Sequence, residues 1–344
     1  MECKRSGIAP FLAVVAALSV LVPRAASGTV VDLAPGVRSW SLGLAGAADD
    51  SDPANAYFNP ALIAWSEGAF ATSGYGKLYK FFTDDIYTYN VGAGCSFEGG
   101  PPGAVRLRFG GAIRYSVLDW GEYEARDQDN NYLGVFHPRE RSFSVTAGVG
   151  GTFRDAFHGS VGVSVKPWAY DDGHVKADDV SCDLGVMLKA DFILGAQMRL
   201  SPSAGVSFLN LNSGDTFFRN NRYGMGVRLE GRSSRYFRER FDVEVPSFAV
   251  AAVYDHIADH SGAEYKNADA RGLGAEISIA QVFFMRVGNY NSGEGSSQLD
   301  NSTYGVGLGM TMKRGWGRFD YASIEQGSIS KRANKYGFSL GFAF

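Results

Sequence analysis

Ser142-Phe143-Ser144-Val145-Thr146-Ala147-Gly148-Val149-Gly150 puts Phe143, Val145, Ala147 and Val149 in one phase and serine, threonine and glycine in the other. Apolar residues at every second position mark a β-strand with two unlike faces, whereas a helix repeats them every three to four. The pattern resumes after Arg154-Asp155, where Val161, Val163 and Val165 alternate with Ser160, Gly162, Ser164 and Lys166. It returns where Tyr304, Val306, Leu308, Met310 and Met312 alternate with glycine, Thr311 and Lys313. The longest run, Asp183 to Leu200, keeps Leu184, Val186, Leu188, Ala190, Phe192, Leu194, Ala196, Met198 and Leu200 in register. A tilted membrane strand needs roughly 9–11 residues. These 18 residues are therefore expected to form a single strand projecting beyond the bilayer.

Fourteen such segments follow one another, near residues 69–80, 85–97, 104–118, 140–153, 157–169, 179–200, 203–211, 223–231, 243–255, 271–281, 282–291, 302–314, 317–326 and 332–344. The stretch from Asn212 to Pro246 leaves that count open by two. The expected fold is all-β: a transmembrane antiparallel barrel of 14 strands, with its even number, short turns on one side and long loops on the other. A soluble sandwich also alternates. Here, however, the apolar phase persists strand after strand and the other phase is rich in glycine and serine, which suits a lumen.

The chain has 344 residues, is 45% hydrophobic and carries 44 Gly, 17 Tyr and 24 Phe. No segment has 18 consecutive apolar residues, so no transmembrane helix is expected. Lys4 and Arg5, the apolar run Ile8–Val22 and the small residues Ala25, Ala26 and Ser27 have the layout of a secretory signal cleaved after Ser27. A membrane anchor is the alternative, but 15 apolar residues are fewer than the roughly 20 a span needs. Cleavage leaves 30 basic and 35 acidic residues, a balance that gives no sign of a nucleic-acid partner. Cys95 and Cys182 fall on the apolar phase of distant strands and are expected to be free thiols.

Charges concentrate on the other phase: Arg106, Arg108, Arg114, Lys166, Asp183, Lys189, Asp191, Glu276, Arg286, Lys313, Arg318 and Asp320. Lysine or arginine facing lipid near the midplane costs about 2–4 kcal/mol, so these residues are expected to face the lumen. They either brace the interior or line a permeation path. Asp49, Asp50 and Asp52 could hold a hard cation, or cap a helix and pair with lumen arginines. Asp127–Asn131 begins like a calcium loop, but Tyr132 and Pro138 stand where its Gly and Glu are required. His256 and His260 have metal-ligand spacing with no third ligand nearby, and no nucleophile-elbow serine accompanies the five histidines. No metal, cofactor or catalytic activity is expected. The stretch 217–241 interleaves arginines with Phe218, Tyr223, Tyr236 and Phe237 and reads as a surface for anionic lipid or a protein, or as a locally paired strand.

Two terminal motifs carry a family resemblance. Tyr336, Phe338, Leu340, Phe342 and Phe344 share one face at the chain's end, which resembles the signal read by the outer-membrane assembly machinery. Gly36, Arg38, Asp49, Asp50, Asn59, Pro60, Ala61 and Leu62 follow a pattern that resembles the PorV/PorQ family and, more distantly, FadL-type hydrocarbon transporters. The resemblance implies three parts: signal 1–27, an N-terminal plug 28–66 folded inside the lumen, and a barrel 67–344. It implies an outer-membrane location amid lipid and lipopolysaccharide. Its function would be passive passage of a hydrophobic small molecule or, alternatively, a non-transporting scaffold for a secreted protein.

Overall fold

The computed structural model describes residues 30–31, 33–78, 85–99, 105–126, 132–195, 198–212, 217, 219–231, 233, 238–239, 245–259, 269–292, 299–325 and 332–342. Fourteen strands pair antiparallel, each with its neighbours in sequence: β1 Ala69–Lys77, β2 Tyr87–Gly99, β3 Val105–Asp119, β4 Arg139–Phe153, β5 Phe157–Asp171, β6 Lys176–Ala190 and β7 Met198–Leu209, then β8 Asn220–Gly231, β9 Phe248–Asp259, β10 Ala270–Ile279, β11 Phe283–Ser292, β12 Leu299–Met312, β13 Gly315–Glu325 and β14 Arg332–Phe342. β14 pairs with β1, from Ala69 opposite Phe342 to Lys77 opposite Asn334, so the sheet closes into a 14-stranded barrel with no free edge.

The run from Asp183 to Leu200 is not one long strand. β6 ends at Ala190, Phe192–Leu194 folds back on Met198–Leu200, and Gly195 adopts a left-handed φ of 63°. Leu194 stands opposite Met198, with three residues between them. Paired residues share a face, and an odd-length connection preserves parity, so the alternation runs through the turn unbroken. The same three-residue parity joins Phe153 to Phe157 and Ile279 to Phe283. Among its described residues the stretch 212–246 adds only β8 to the count, whose start at Asn220 precedes the expected 223. Lys313 lies in the turn before β13 and is exposed, not lumenal.

The outward phase is apolar over every strand, with Val91, Ile113, Val145, Leu188, Met225, Leu273, Val287 and Leu308 among its exposed residues. Tyr321, Tyr336, Tyr75 and Tyr89 stand opposite one another across β13, β14, β1 and β2. Toward the other end Phe97 stacks on Phe109 at 5.7 Å, and Phe153, Phe157, Phe283 and Phe342 are exposed. An aliphatic band between two aromatic rows is how a barrel meets the two water interfaces of a bilayer. Cys95 and Cys182 are free.

Connections at the phenylalanine end include the turns 154–156, 280–282 and 313–314, together with the longer 232–247. Those at the tyrosine end are mostly longer, and one carries a small hairpin of Tyr123–Arg126 with Tyr132–Phe136. Pro167 interrupts the ladder between β4 and β5, where Phe143 and Ser144 have no paired partners. A proline nitrogen carries no hydrogen to donate.

Candidate functional site: the lumen and its tyrosine-end mouth

Residues 33–66 lie buried between the strands, entering at the tyrosine end and leaving at the phenylalanine end to start β1. The path is set locally. Val37–Ser41 forms one helical turn (α1), after which Gly43 and Leu44 take left-handed φ values of 67° and 57°. That bend aims the amides of Gly46 and Ala47 at the buried carboxylate of Asp255 on β9, at 3.0 and 3.1 Å. Arg222 on β8 completes the clasp, donating to Asp255 at 3.1 Å and to the Leu44 carbonyl at 2.8 Å.

Asp52 caps the 3-10 turn Pro53–Tyr57 by accepting from the Ala54 amide at 2.9 Å. Asn59 caps the next one, Pro60–Trp65, accepting from the Ala61 amide at 3.1 Å. Its Nδ2 also donates to the carbonyls of Ala47 and Val186, at 2.8 and 2.9 Å. Pro60 sits at the first helical position, where a missing amide hydrogen costs nothing. The Asn59-Pro60-Ala61 motif thus ends one turn, starts another and ties both to β6.

The wall meets this segment with glycine. A Cβ added at Gly110, Gly162, Gly185, Gly205, Gly288 or Gly337 would fall under 3.0 Å from Ile63, Pro60, Asn59, Ala47, Leu42 or Val37 respectively. The inward glycines, read from sequence as a crowded or water-filled lumen, are seats for this segment.

Buried charge follows a chain that begins and ends in the segment. Arg38 pairs with Asp49 and donates to Glu276 at 2.8 and 3.1 Å. Arg286 bridges Glu276 and Asp320 at 2.5 and 2.6 Å, and Arg318 bridges Asp320 and Asp52 at 2.6 and 2.8 Å. Lys189 takes Asp50 at 2.7 Å. Burial works against the charge on Arg38, but Asp49 and Glu276 outweigh it and hold the guanidinium protonated. Burial likewise opposes ionisation of Asp49, yet Arg38 and the Ser51 hydroxyl hold its carboxyl below the usual range. The three aspartates are therefore partners of interior cations, and Asp52 is also a cap. Among the described residues no group of three or more His, Cys, Asp or Glu is placed to hold a metal.

The remaining candidates divide. Gly36 caps α1, and Asp183 pairs with Lys166 at 2.9 Å. Arg108 lies over the Trp65 ring at 5.7 Å, while Arg106 sits at the rim beside Asp155 with half its side chain exposed. Arg114 reaches only the Ala54 carbonyl, at 3.4 Å. Asp191 lies at the break after β6, 3.3 Å from His158. Tyr336, Phe338 and Phe342 face outward; Phe344, the calcium-loop candidate 127–131 and His260 lie outside the described residues. Within the basic–aromatic stretch, Arg222 and Arg228 turn inward, and Arg228 pairs with Glu230 at 2.7 Å, so these two belong to the interior and not to a docking surface. Sequence reasoning missed Glu140, Glu230, Asp255 and Lys335. Their parity with buried neighbours on β4, β8, β14 and β9 is the signal that could have found them.

At the tyrosine end the lumen turns apolar. Val30, Val31, Ala34, Trp40 and Phe58 pack with Leu78, Ile86, Leu118, Trp168, Phe217 and Ile324, flanked by Tyr57, Trp120 and Tyr170. Glu140 sits beneath, accepting from the Val30 amide at 2.9 Å and from the indoles of Trp120 and Trp168 at 3.0 and 3.1 Å. This is a chamber for hydrophobic groups, filled by the chain's own Val30, Val31, Leu33 and Ala34.

No protein-family model matches the chain, and no curated protein sequence does. Solved structures do resemble it. The TodX monoaromatic hydrocarbon channel aligns at a TM-score of 0.49 and 11% identity over 90% of this chain and 98% of that one. The Ralstonia pickettii toluene transporter TbuX aligns at 0.47 and 12% over 89% and 96%. A Pseudomonas aeruginosa FadL homologue aligns at 0.41 and 12% over 93% and 98%. At such identities and TM-scores these likenesses say nothing of what this barrel carries.

Proposed function

We propose that the chain is a non-catalytic outer-membrane barrel that gives hydrophobic small molecules passive passage, with residues 28–66 as the plug of its lumen. The apolar exterior between two aromatic rows supports insertion amid lipid and lipopolysaccharide. The leader-like residues 1–27 support export, and the outward face of Tyr336, Phe338 and Phe342 supports delivery by the barrel assembly machinery. The observation that carries the passage reading is the aromatic and aliphatic chamber at the tyrosine end, the most extensive of the apolar clusters in the interior. A hydrophobic molecule replacing Val30, Val31 and Ala34 would keep the same surfaces dry, at no cost in buried apolar area.

Liposomes reconstituted with the mature chain should take up a fluorescent long-chain fatty acid or a radiolabelled arene faster than empty liposomes. A variant lacking residues 28–66 should lose the selectivity for hydrophobic solutes and leak small polar ones. Uptake no faster than in empty liposomes would overturn the reading.

A second reading, a PorV-like scaffold for secretion or surface attachment of a protein, has its own support. Tyr123, Tyr132, Val135 and Val175 are exposed on the loops beyond the tyrosine row, and the ion-pair chain holds the plug in place. A sealed wild-type barrel that co-purifies with one defined secreted protein, and releases it when Tyr132 and Val135 become Ser, would favour it.

A further inference from the structure

Glu140 on β4 is the carboxylate over which the apolar chamber closes. It is 2% exposed and accepts from three N–H groups. The Trp120 indole donates to Oε1 at 3.0 Å, while the Trp168 indole and the Val30 amide donate to Oε2 at 3.1 and 2.9 Å. The two indoles belong to the barrel, Trp120 just past β3 and Trp168 on β5. The third donor belongs to the N-terminal segment, where Val30 packs with Val31 and Ala34 against Trp40, Trp168 and Phe217. Two of these bonds are thus fixed in the wall, and the third is supplied by the segment that fills the chamber.

Two costs decide what could take the place of Val30. A buried acceptor that loses a donor is penalised, and more so when it is charged. A guest of plain hydrocarbon would therefore leave Oε2 one donor short. Charge sets the second limit. Lys335 holds an ammonium 4.5 Å over the Trp40 ring and Glu140 holds a carboxylate against the two indoles, one charge of each sign on the border of one chamber. A neutral guest keeps that balance. A carboxylate would face Glu140, and an ammonium would add to Lys335, each bringing net charge into a buried space. The rest of the chamber suits a flat apolar body: Trp168 and Phe217 meet edge to face at 5.5 Å, beside Trp40, Leu118 and Ile324.

We propose that Glu140 is the acceptor of a binding site for a neutral apolar molecule that carries one O–H or N–H donor, of which a phenol is the simplest form. The ligand's donor takes the place of the Val30 amide on Oε2, and its ring replaces Val30, Val31 and Ala34 among Trp40, Trp168 and Phe217. Trp120 and Trp168 keep their bonds to Glu140 and hold the carboxylate toward the ligand. Taken with the passage reading, on which this part rests, the barrel selects donor-bearing arenes over plain hydrocarbons and over acids.

Calorimetry on the detergent-solubilised mature chain, with empty-micelle heats subtracted, compares para-ethylphenol with para-ethylanisole, in which a methyl caps the donor. The phenol should bind about tenfold tighter or more, the range expected when a buried acceptor is otherwise left unmet. Glu140→Gln should remove that preference and leave anisole binding in place. Should it fail to fold, Glu140→Asp, which keeps the charge but draws the carboxylate back by one methylene, carries the test with the same expected loss. A chain beginning at Leu33 should bind both arenes tighter, because Val30 and Val31 no longer compete, and should still prefer the phenol. Equal affinity for the two arenes in wild type, a preference that survives the change at Glu140, or affinities unchanged in the shortened chain would overturn the site. Tighter binding of para-ethylbenzoate or para-ethylbenzylammonium than of the phenol would overturn the neutral head. Phenol-selective binding with no liposome uptake would leave the site standing and remove the passage function, and uptake without such selectivity would do the reverse.

Discussion

Replacing Arg38 by methionine should unseat the plug without unfolding the barrel. Arg38 links an ion pair within the segment, to Asp49, with one to the wall, at Glu276. In the variant Glu276 keeps Arg286 at 2.5 Å. Asp49 is left with neutral donors, the Ser51 hydroxyl at 2.5 Å and the Asn55 amide at 3.1 Å. Breaking a buried pair by removing one partner costs about 3–5 kcal/mol, because a charge stays behind unpaired. At about 1.4 kcal/mol per tenfold, that is about two to three and a half orders of magnitude in the ratio of seated to released plug. The strand ladders do not involve Arg38, so the barrel itself should keep its unfolding midpoint.

Single-channel recording in planar bilayers reads the difference: a quiet wild type, and in Arg38→Met frequent openings of a conductance no larger than that of the 28–66 deletion. Adding Asp49→Asn removes the stranded charge and should return most of the seal. The refuting result is specific. If Arg38→Met is as quiet as wild type, or if Arg38→Met/Asp49→Asn leaks as much as the single variant, the ion pairs of Arg38 do not keep the plug seated.

Acid should have a related effect. The Asp49 carboxyl is held below its unfolded value of about 3.9, so its contribution is fully present above about pH 4 and is lost as pH falls through the lower folded value. Conductance traces should stay quiet to about pH 4 and open below it. Gly162→Ala places a methyl against the backbone of Pro60 and should cost about 1–3 kcal/mol in plug retention, read as proteolysis of the segment. Gly111→Ala, on the outward face with only the Thr146 carbonyl at 3.8 Å, should be silent in that assay. Val186→Arg puts a cation on the apolar band of β6 and should destabilise the folded barrel by about 2–4 kcal/mol in urea titrations in lipid. An unchanged midpoint would mean this face does not meet hydrocarbon.

Parity was the most legible feature of the chain, because a strand's faces repeat every two residues whatever surrounds them. It placed Arg286, Glu276 and Asp183 inside and Val145, Val186 and Phe338 outside. The same regularity hid the turn at Gly195, since an odd-length connection leaves the phase intact and only the glycine punctuates it. What parity does not carry is who meets whom. Asp255 and the Gly46 amide are 209 positions apart, and Arg38 and Glu276 are 238 apart. These contacts depend on a non-repeating segment whose path is set by caps and left-handed turns. Lys335 precedes outward Tyr336 and shares the inward parity of Ala333, but nothing in its own strand marks what it meets.

A barrel of fourteen strands encloses more space than its own inward side chains fill, so its interior must hold water, a ligand or more chain. Here it holds chain, and glycine and charge serve different ends in holding it. Glycine at the seats lets backbone approach backbone, which sets how closely the segment fits. Buried ion pairs roughly break even against apolar packing, so the chain from Asp49 to Asp52 adds little adhesion, but any shift in register strands several charges at once. The pairs therefore fix where the segment sits. Lys335 takes no part in that register, because among the described residues no carboxylate is within ion-pair distance of it. Among the described residues, Val30, Val31 and Leu33 to Gly36 take part in no ion pair, so a segment held at Arg38, Asp49 and Asp52 can give them up at the tyrosine end without stranding a charge, and that freedom is what a ligand entering the aromatic chamber requires.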